Sequence, residues 1–117
     1  MNQIKKIRNI TKGTLIADRV SIANTPLTRM RGLLGKDNLK QGEGLLIEPC
    51  SSIHTFFMKF SIDVLFLSKQ NRVVALVKEL VPGRLFSKTR GARKCIELIV
   101  RSIDASKTEI GDKILIE

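Results

Sequence analysis

From Thr14 onward, apolar positions cluster in short runs of roughly four to eight residues, broken by glycine, proline or polar pairs. That is the pattern of strands and turns. Thr14 to Ala23 is the first clear strand, with Leu15, Ile16, Val20 and Ile22 apolar and Gly13 ahead of it. Ile4, Ile7 and Ile10 are spaced by three and fit a short helix and an irregular strand equally badly. One segment reads as a helix, Pro26 to Leu34. Thr25 is its N-cap and Pro26 takes the first position, where a missing N–H costs nothing. Leu27, Met30, Leu33 and Leu34 form its apolar stripe, and Gly35 is placed to close it. Beyond it, Gly42-Glu43-Gly44 is a turn before Leu45-Leu46-Ile47, which Pro49 ends. Ile53 to Phe60 and Ile62 to Ser68 are extended runs. Lys69-Gln70-Asn71 is a hairpin loop in which Asn71 tolerates positive φ, and Val73 to Leu80 is the return strand. Pro82-Gly83 breaks that strand. A basic loop, Arg84 to Lys94, leads to the strand Cys95 to Val100, a helical turn within Ser102 to Glu109, and a last strand, Lys113 to Ile116. The expected architecture is mainly β: a small β-sandwich or small barrel with one short helix near residues 26–34, forming a single domain over residues 1–117.

Composition narrows this picture. A chain of 117 residues, 43% hydrophobic and 27% charged, is that of one globular domain with its own core. There are five Phe and no Tyr or Trp, so Ile, Leu and Val carry the packing and favour sheet. Net charge is +10, which attracts polyanions without specifying one. No apolar run follows the basic segment Met1 to Ile10, so no secretory signal is expected. No stretch approaches the roughly 18 apolar residues of a membrane span. The expected location is cytoplasmic, with Cys50 and Cys95 as free thiols.

Unusual side chains crowd into residues 50–63. His54 is the only histidine, and an imidazole exchanges a proton near neutrality. If Ile53 to Phe60 is extended, His54, Phe56, Met58 and Phe60 share one face. His54 then either caps the core or stands at the mouth of an apolar pocket. Cys50, His54 and Met58 recur every four residues and are donors suited to copper(I). Four residues of strand span about 13 Å, however, too far for one ion. No metal is expected. Ser51, Ser52, His54 and Asp63 supply the residue types of a hydrolase triad, but no G-x-S-x-G elbow accompanies them. Asp63 interrupts an apolar run. It is either a structural carboxylate, paired or capping backbone, or a pocket-rim residue working with His54. Arg29, Arg31 and Lys59 are its available partners. The glycines near Gly32-Leu33-Leu34-Gly35-Lys36 and Gly42-Glu43-Gly44 do not match a phosphate-cradling loop, and no cofactor is expected.

Several motifs in order resemble a known family. They are Arg29-x-Arg31-Gly32-Leu33-Leu34-Gly35, Leu39-x-x-Gly42-x-Gly44-Leu45, Met58-Lys59, Ile62-Asp63-Val64-Leu65-Phe66, Val73-Val74, Glu97-Leu98 and Ile110-Gly111-Asp112. Together they look like the domain-of-unknown-function family 192, from about Ala17 to Ile116. The resemblance implies a compact β-sandwich or half-barrel with one short helix, and it brings no established activity. Phe57 stands where a Trp is common, and Phe60 where an Asn is usual, so the segment here is more apolar. The preferred functional reading is a non-enzymatic module binding a small ligand or protein, with His54, Met58, Asp63 and Arg31 around its pocket. Two alternatives stand beside it. One is a basic protein with weak, non-specific nucleic-acid binding through Arg84, Lys88, Arg90, Arg93 and Lys94. The other is a hydrolase or thiol enzyme.

Overall fold

The structure is a computed structural model and describes residues 3–87 and 89–117. In chain order the elements are β1 (Ile4–Asn9), β2 (Thr14–Ala23), α1 (Pro26–Arg31), β3 (Glu43–Ile47), β4 (Ile53–His54), β5 (Ile62–Leu67), β6 (Val73–Leu80), β7 (Leu85–Phe86), β8 (Lys94–Ile99), α2 (Ser102–Ser106) and β9 (Ile114–Ile116). Seven strands form one sheet in the order β6-β5-β8-β3-β2-β1-β9, and β4 and β7 form a two-stranded sheet. In the large sheet β2 and β3 run parallel, and the other neighbours are antiparallel.

The large sheet curls until its two edges approach. Arg72, just before β6, bridges to Lys113, just before β9. Val73 N–H donates to Asp112 C=O at 3.0 Å, and Ile114 N–H to Asn71 C=O at 2.8 Å. The result is a half-barrel, one of the two architectures that the family resemblance implied. The ambiguous isoleucines near the N-terminus resolve as β1, which buries Ile7 against the core and leaves Ile4 and Ile10 exposed.

The central strands are buried on both faces, so they read as continuous apolar runs rather than alternating ones. Leu65, Leu67, Ile96 and Leu98 face the inside of the curl with Ile7, Val20, Val73, Ile114 and Ile103 of α2. The intervening residues Ile62, Val64, Phe66 and Cys95 face a second core on the outer side. That core is covered by Leu33, Leu39, Ile53 and Met58, supplied by the segments flanking α1 and β4. Gly44 permits the close approach of β3 to β8. A Cβ there would lie 2.8 Å from the Glu97 carbonyl oxygen and 3.1 Å from a Leu98 methyl.

The expected helix is shorter than its sequence stripe. Thr25 and Thr28 form a capping box and Pro26 opens α1, but Gly32, at φ 51°, ends it before Leu33. Leu27 and Met30 are therefore 74% and 73% exposed, while Leu33 enters the outer core as part of the following loop. The stripe Leu27-Met30-Leu33-Leu34 is not one buried face.

The expected strand Ile53 to Phe60 is also corrected. Only Ile53–His54 is extended, paired with Phe86 and Leu85. The reason lies in Thr55, which is fully buried. Its hydroxyl donates to Val81 C=O at 2.6 Å and accepts from Arg84 N–H at 2.9 Å. Thr55 C=O also accepts from Met58 N–H at 3.2 Å. These bonds fold residues 55–58 into a turn with Phe57 at φ 67°. The alternation that would place His54, Phe56, Met58 and Phe60 on one face does not occur: Met58 is buried and Phe57 is 90% exposed.

Candidate ligand cleft

A cleft of about 390 Å³ opens on the outer face. One wall is α1 and the loop after it, including Arg29, Arg31 and Leu33. The opposite wall is the segment Pro49 to His54. Ala92 and Arg93 close the third side, and Ile47 and Glu97 of the central strands form the floor. Its volume falls in the range of roughly 300–1,000 Å³ found for small-molecule sites.

Three of the four expected pocket residues meet here. Arg31 and His54 line the cleft near solvent, and Met58 lines it from the buried side. His54 stacks on Phe56 with ring centroids 5.3 Å apart. Its Nδ1 accepts from Phe56 N–H at 3.3 Å, which favours the tautomer with its proton on Nε2.

Asp63 does not join them. It sits on the inner face of β5 with Leu65 and Leu67, away from Met58. One carboxylate oxygen accepts from Glu79 N–H at 2.9 Å, where the β5–β6 register shifts. The other accepts from Ile103 N–H at 2.9 Å, in the first turn of α2, whose own N-cap Arg101 makes no side-chain cap bond. Asp63 is the backbone-capping carboxylate of the two readings and has no place at the pocket rim with His54. Lys59, one of its expected partners, pairs instead with Asp37 at 3.0 Å.

Two features escaped the sequence reading. The first is Glu97. On β8 it pairs across to Leu45 of β3 and Val64 of β5, both in the outer apolar core. It is 4% exposed, and its Oε1 has no hydrogen-bond partner among the described residues. Burial pushes the carboxyl up to about 7, because a charged carboxylate without a partner is costly in apolar surroundings. A carboxylate inside the apolar run Cys-Ile-Glu-Leu-Ile was the available signal, identical in kind to the one that drew attention to Asp63.

The second is the cysteine pair. Cys50 and Cys95 are joined in a disulfide with Cα atoms 5.6 Å apart, not held as free thiols. Their 45-residue separation hides this in sequence. Register removes the separation: Cys95 lies opposite Ile47 at the end of β3, and Cys50 follows with its N–H donating to Arg93 C=O at 2.9 Å. Cys50 lines the cleft.

The electrostatics of the cleft are one-sided. Arg29, Arg31 and Arg93 line it, and Glu97 is the sole acidic side chain among its lining residues. None of the three arginines takes part in an ion pair among the described residues. Of the basic loop, Arg93 faces the cleft, while Lys94 is tied to Asn71 at 2.6 Å. Lys88 lies outside the described residues. No group of three or more His, Cys, Asp or Glu side chains suited to a metal occurs among the described residues, and no described helix is long and apolar enough to cross a membrane.

Known proteins resemble this chain in sequence or in fold. A UPF0127 protein of Thermococcus sibiricus is 40% identical over 110 residues, covering 91% of this chain and 71% of that protein. A Novosphingobium aromaticivorans protein of unknown function superposes with a TM-score of 0.82 at 17% identity, covering 97% of this chain and 84% of its own. A Sinorhizobium meliloti protein, described as a candidate transcription regulator, gives a TM-score of 0.83 at 16% identity, covering 99% and 94%. At such identities the two structures speak for the fold alone. The profile of the family DUF192, described as an uncharacterized ACR, matches residues 7–116. By that match, and by its likeness to the Thermococcus protein, the chain belongs to the domain-of-unknown-function family 192.

Proposed function

We propose that the protein is a small-molecule-binding module. Its cleft takes a compact ligand that turns an anionic group toward Arg29, Arg31 and Arg93 and a hydrogen-bond donor toward Glu97. One observation carries the reading: Glu97 Oε1 is buried on the cleft floor with no hydrogen-bond partner among the described residues. An unpaired buried acceptor costs about 1–3 kcal/mol, and an apolar residue of similar shape would remove that cost. A ligand donor makes the acceptor useful. His54 and Met58 are the further contacts, one polar at the mouth and one apolar within. Asp63 is left out of the site.

The test is a thermal-shift screen against small amino, hydroxy and phospho acids, repeated on Glu97→Leu. The expected result is a compound that raises the melting temperature of the native protein and not of the variant. Compounds that protect both proteins equally, or a screen in which none protects the native one, would refute it.

A second reading rests on the net charge of +10. It is electrostatic association with nucleic acid through Arg84, Lys88, Arg90, Arg93 and Lys94. Binding of duplex DNA measured across a salt series checks it. Affinity must fall with a log–log slope of about −0.9 per phosphate engaged, and a flat series removes the reading.

A further inference from the structure

The disulfide lies in the wall of the cleft, and its two ends are unlike. Cys50 is half-buried and lines the cavity, whereas Cys95 is fully buried in the outer core. Glu97 is two residues beyond Cys95 on the same face of β8; their backbones are about 7 Å apart along the strand, a gap that the two side chains or one bridging water can span. Arg29, Arg31, Arg93 and His54 are the other titratable or charged groups lining the same space. An accessible sulfur, a carboxyl with no hydrogen bond among the described residues and a cationic surround thus line one cavity, and the partner sulfur lies buried behind its wall.

We propose that Cys50–Cys95 is a redox-active disulfide that exchanges with a small thiol admitted by the cleft, with Glu97 as the proton donor to Cys95. This rests on the reading that the cleft takes a small ligand, and it names that ligand's reactive group.

The asymmetry of burial sets the order of events. An incoming thiolate can reach Cys50 Sγ and not Cys95 Sγ. A new S–S bond forms between the substrate sulfur and Cys50. The Cys50–Cys95 bond breaks, and its electron pair leaves on Cys95. A thiolate released into apolar surroundings is strongly disfavoured, so its departure requires a proton. Glu97, whose carboxyl burial pushes up to about 7, supplies it from its protonated form and is left as carboxylate. A second thiol, on the same dithiol or another molecule, then attacks the substrate sulfur of the mixed disulfide. Cys50 leaves as a thiolate beside the arginine-rich wall. Protons lost by the two substrate thiols restore Glu97 and Cys50. The balance is one protein disulfide and two thiols giving two protein thiols and one substrate disulfide: the protein is reduced and the substrate oxidised.

The experiment uses the full chain and dithiothreitol as the probe. Reduction of Cys50–Cys95 is followed by thiol trapping and mass spectrometry between about pH 5 and 9. Native protein is compared with Glu97→Gln and Glu97→Asp. The expected result is rapid reduction without unfolding, slowed on the order of 100-fold in Glu97→Gln, the lower end of what general acid catalysis contributes, and partly rescued in Glu97→Asp. In Cys95→Ser, oxidised glutathione should form its mixed disulfide on Cys50. Reduction that requires denaturant, or rates unchanged by Glu97→Gln, would overturn the proposal and leave the disulfide as a structural cross-link. If the acid screen still finds a Glu97-dependent ligand in that case, the binding reading stands and only the redox step falls.

Discussion

Replacing Glu97 with Gln should abolish a pH effect on stability. In the unfolded chain this carboxyl titrates near 4.5, and burial raises it to about 7 in the folded protein. Each tenfold gap in proton affinity is worth about 1.4 kcal/mol, so the two states differ by about 3 kcal/mol in their preference for neutral Glu97. Below about pH 4.5 both states hold the proton and Glu97 adds no pH dependence. Between there and about 7 the folded state keeps a proton that the unfolded state has released. Stability therefore falls as pH rises through this window, and levels off above it with the full loss in place. Gln is neutral throughout and removes the slope, while keeping the shape of the side chain. Chemical denaturation from about pH 4.5 to 8.5 measures it. The two proteins should be nearly equal in acid, with the variant more stable by about 3 kcal/mol at the alkaline end. Asp112 does not confuse the result. Burial pushes its carboxyl up, but bonds from Asn9, Glu109 N–H and Lys12 outweigh that and hold it below the usual range. Its effect falls at lower pH and is common to both proteins. Parallel stability curves would refute the account of Glu97 as a buried, partnerless acid.

Gly44→Ala should destabilise by about 1–3 kcal/mol in the same assay, because its Cβ would meet the Glu97 carbonyl oxygen at 2.8 Å between two central strands. Asp63→Ala should cost about 2–5 kcal/mol by stranding two backbone donors. Hydrogen exchange should quicken at Glu79 and Ile103, and any ligand found for the cleft should bind as before. Removing both cysteines opens a 45-residue loop and should lower stability by about 4 kcal/mol on the chain-entropy account, read from denaturation midpoints of Cys50→Ser/Cys95→Ser.

Strand order along the chain was legible because the apolar runs are short and bounded by strong turn residues. Asn71, expected at positive φ, is at 63°. Length of elements was less legible. Nothing local says that Gly32 rather than Gly35 ends α1, since the apolar Leu33 and Leu34 continue the helical stripe and are claimed by the core instead. The turn at Phe56-Phe57 depends on Thr55 bonding to Val81 and Arg84, which are 26 and 29 residues away. The site divides in the same way. His54 and Met58 stand out as residue types near one another in sequence, and Arg31 stands out on the predicted helix before them. The cysteine pair and Glu97 become site residues only through the register of β8 against β3 and β5.

The bridge between Arg72 and Lys113 also bears on how the molecule comes to be. Strand β1 waits for β9, more than a hundred residues later, and Lys6 and Glu117 exchange both backbone hydrogen bonds at 2.8 and 3.0 Å. A nascent chain therefore exposes two unpaired sheet edges until residues 114–116 have emerged. Exposed edges invite pairing with other chains, and contacts this distant in sequence form slowly. The interval before β9 pairs with β1 is when the domain is most open to aggregation and to capture by a chaperone.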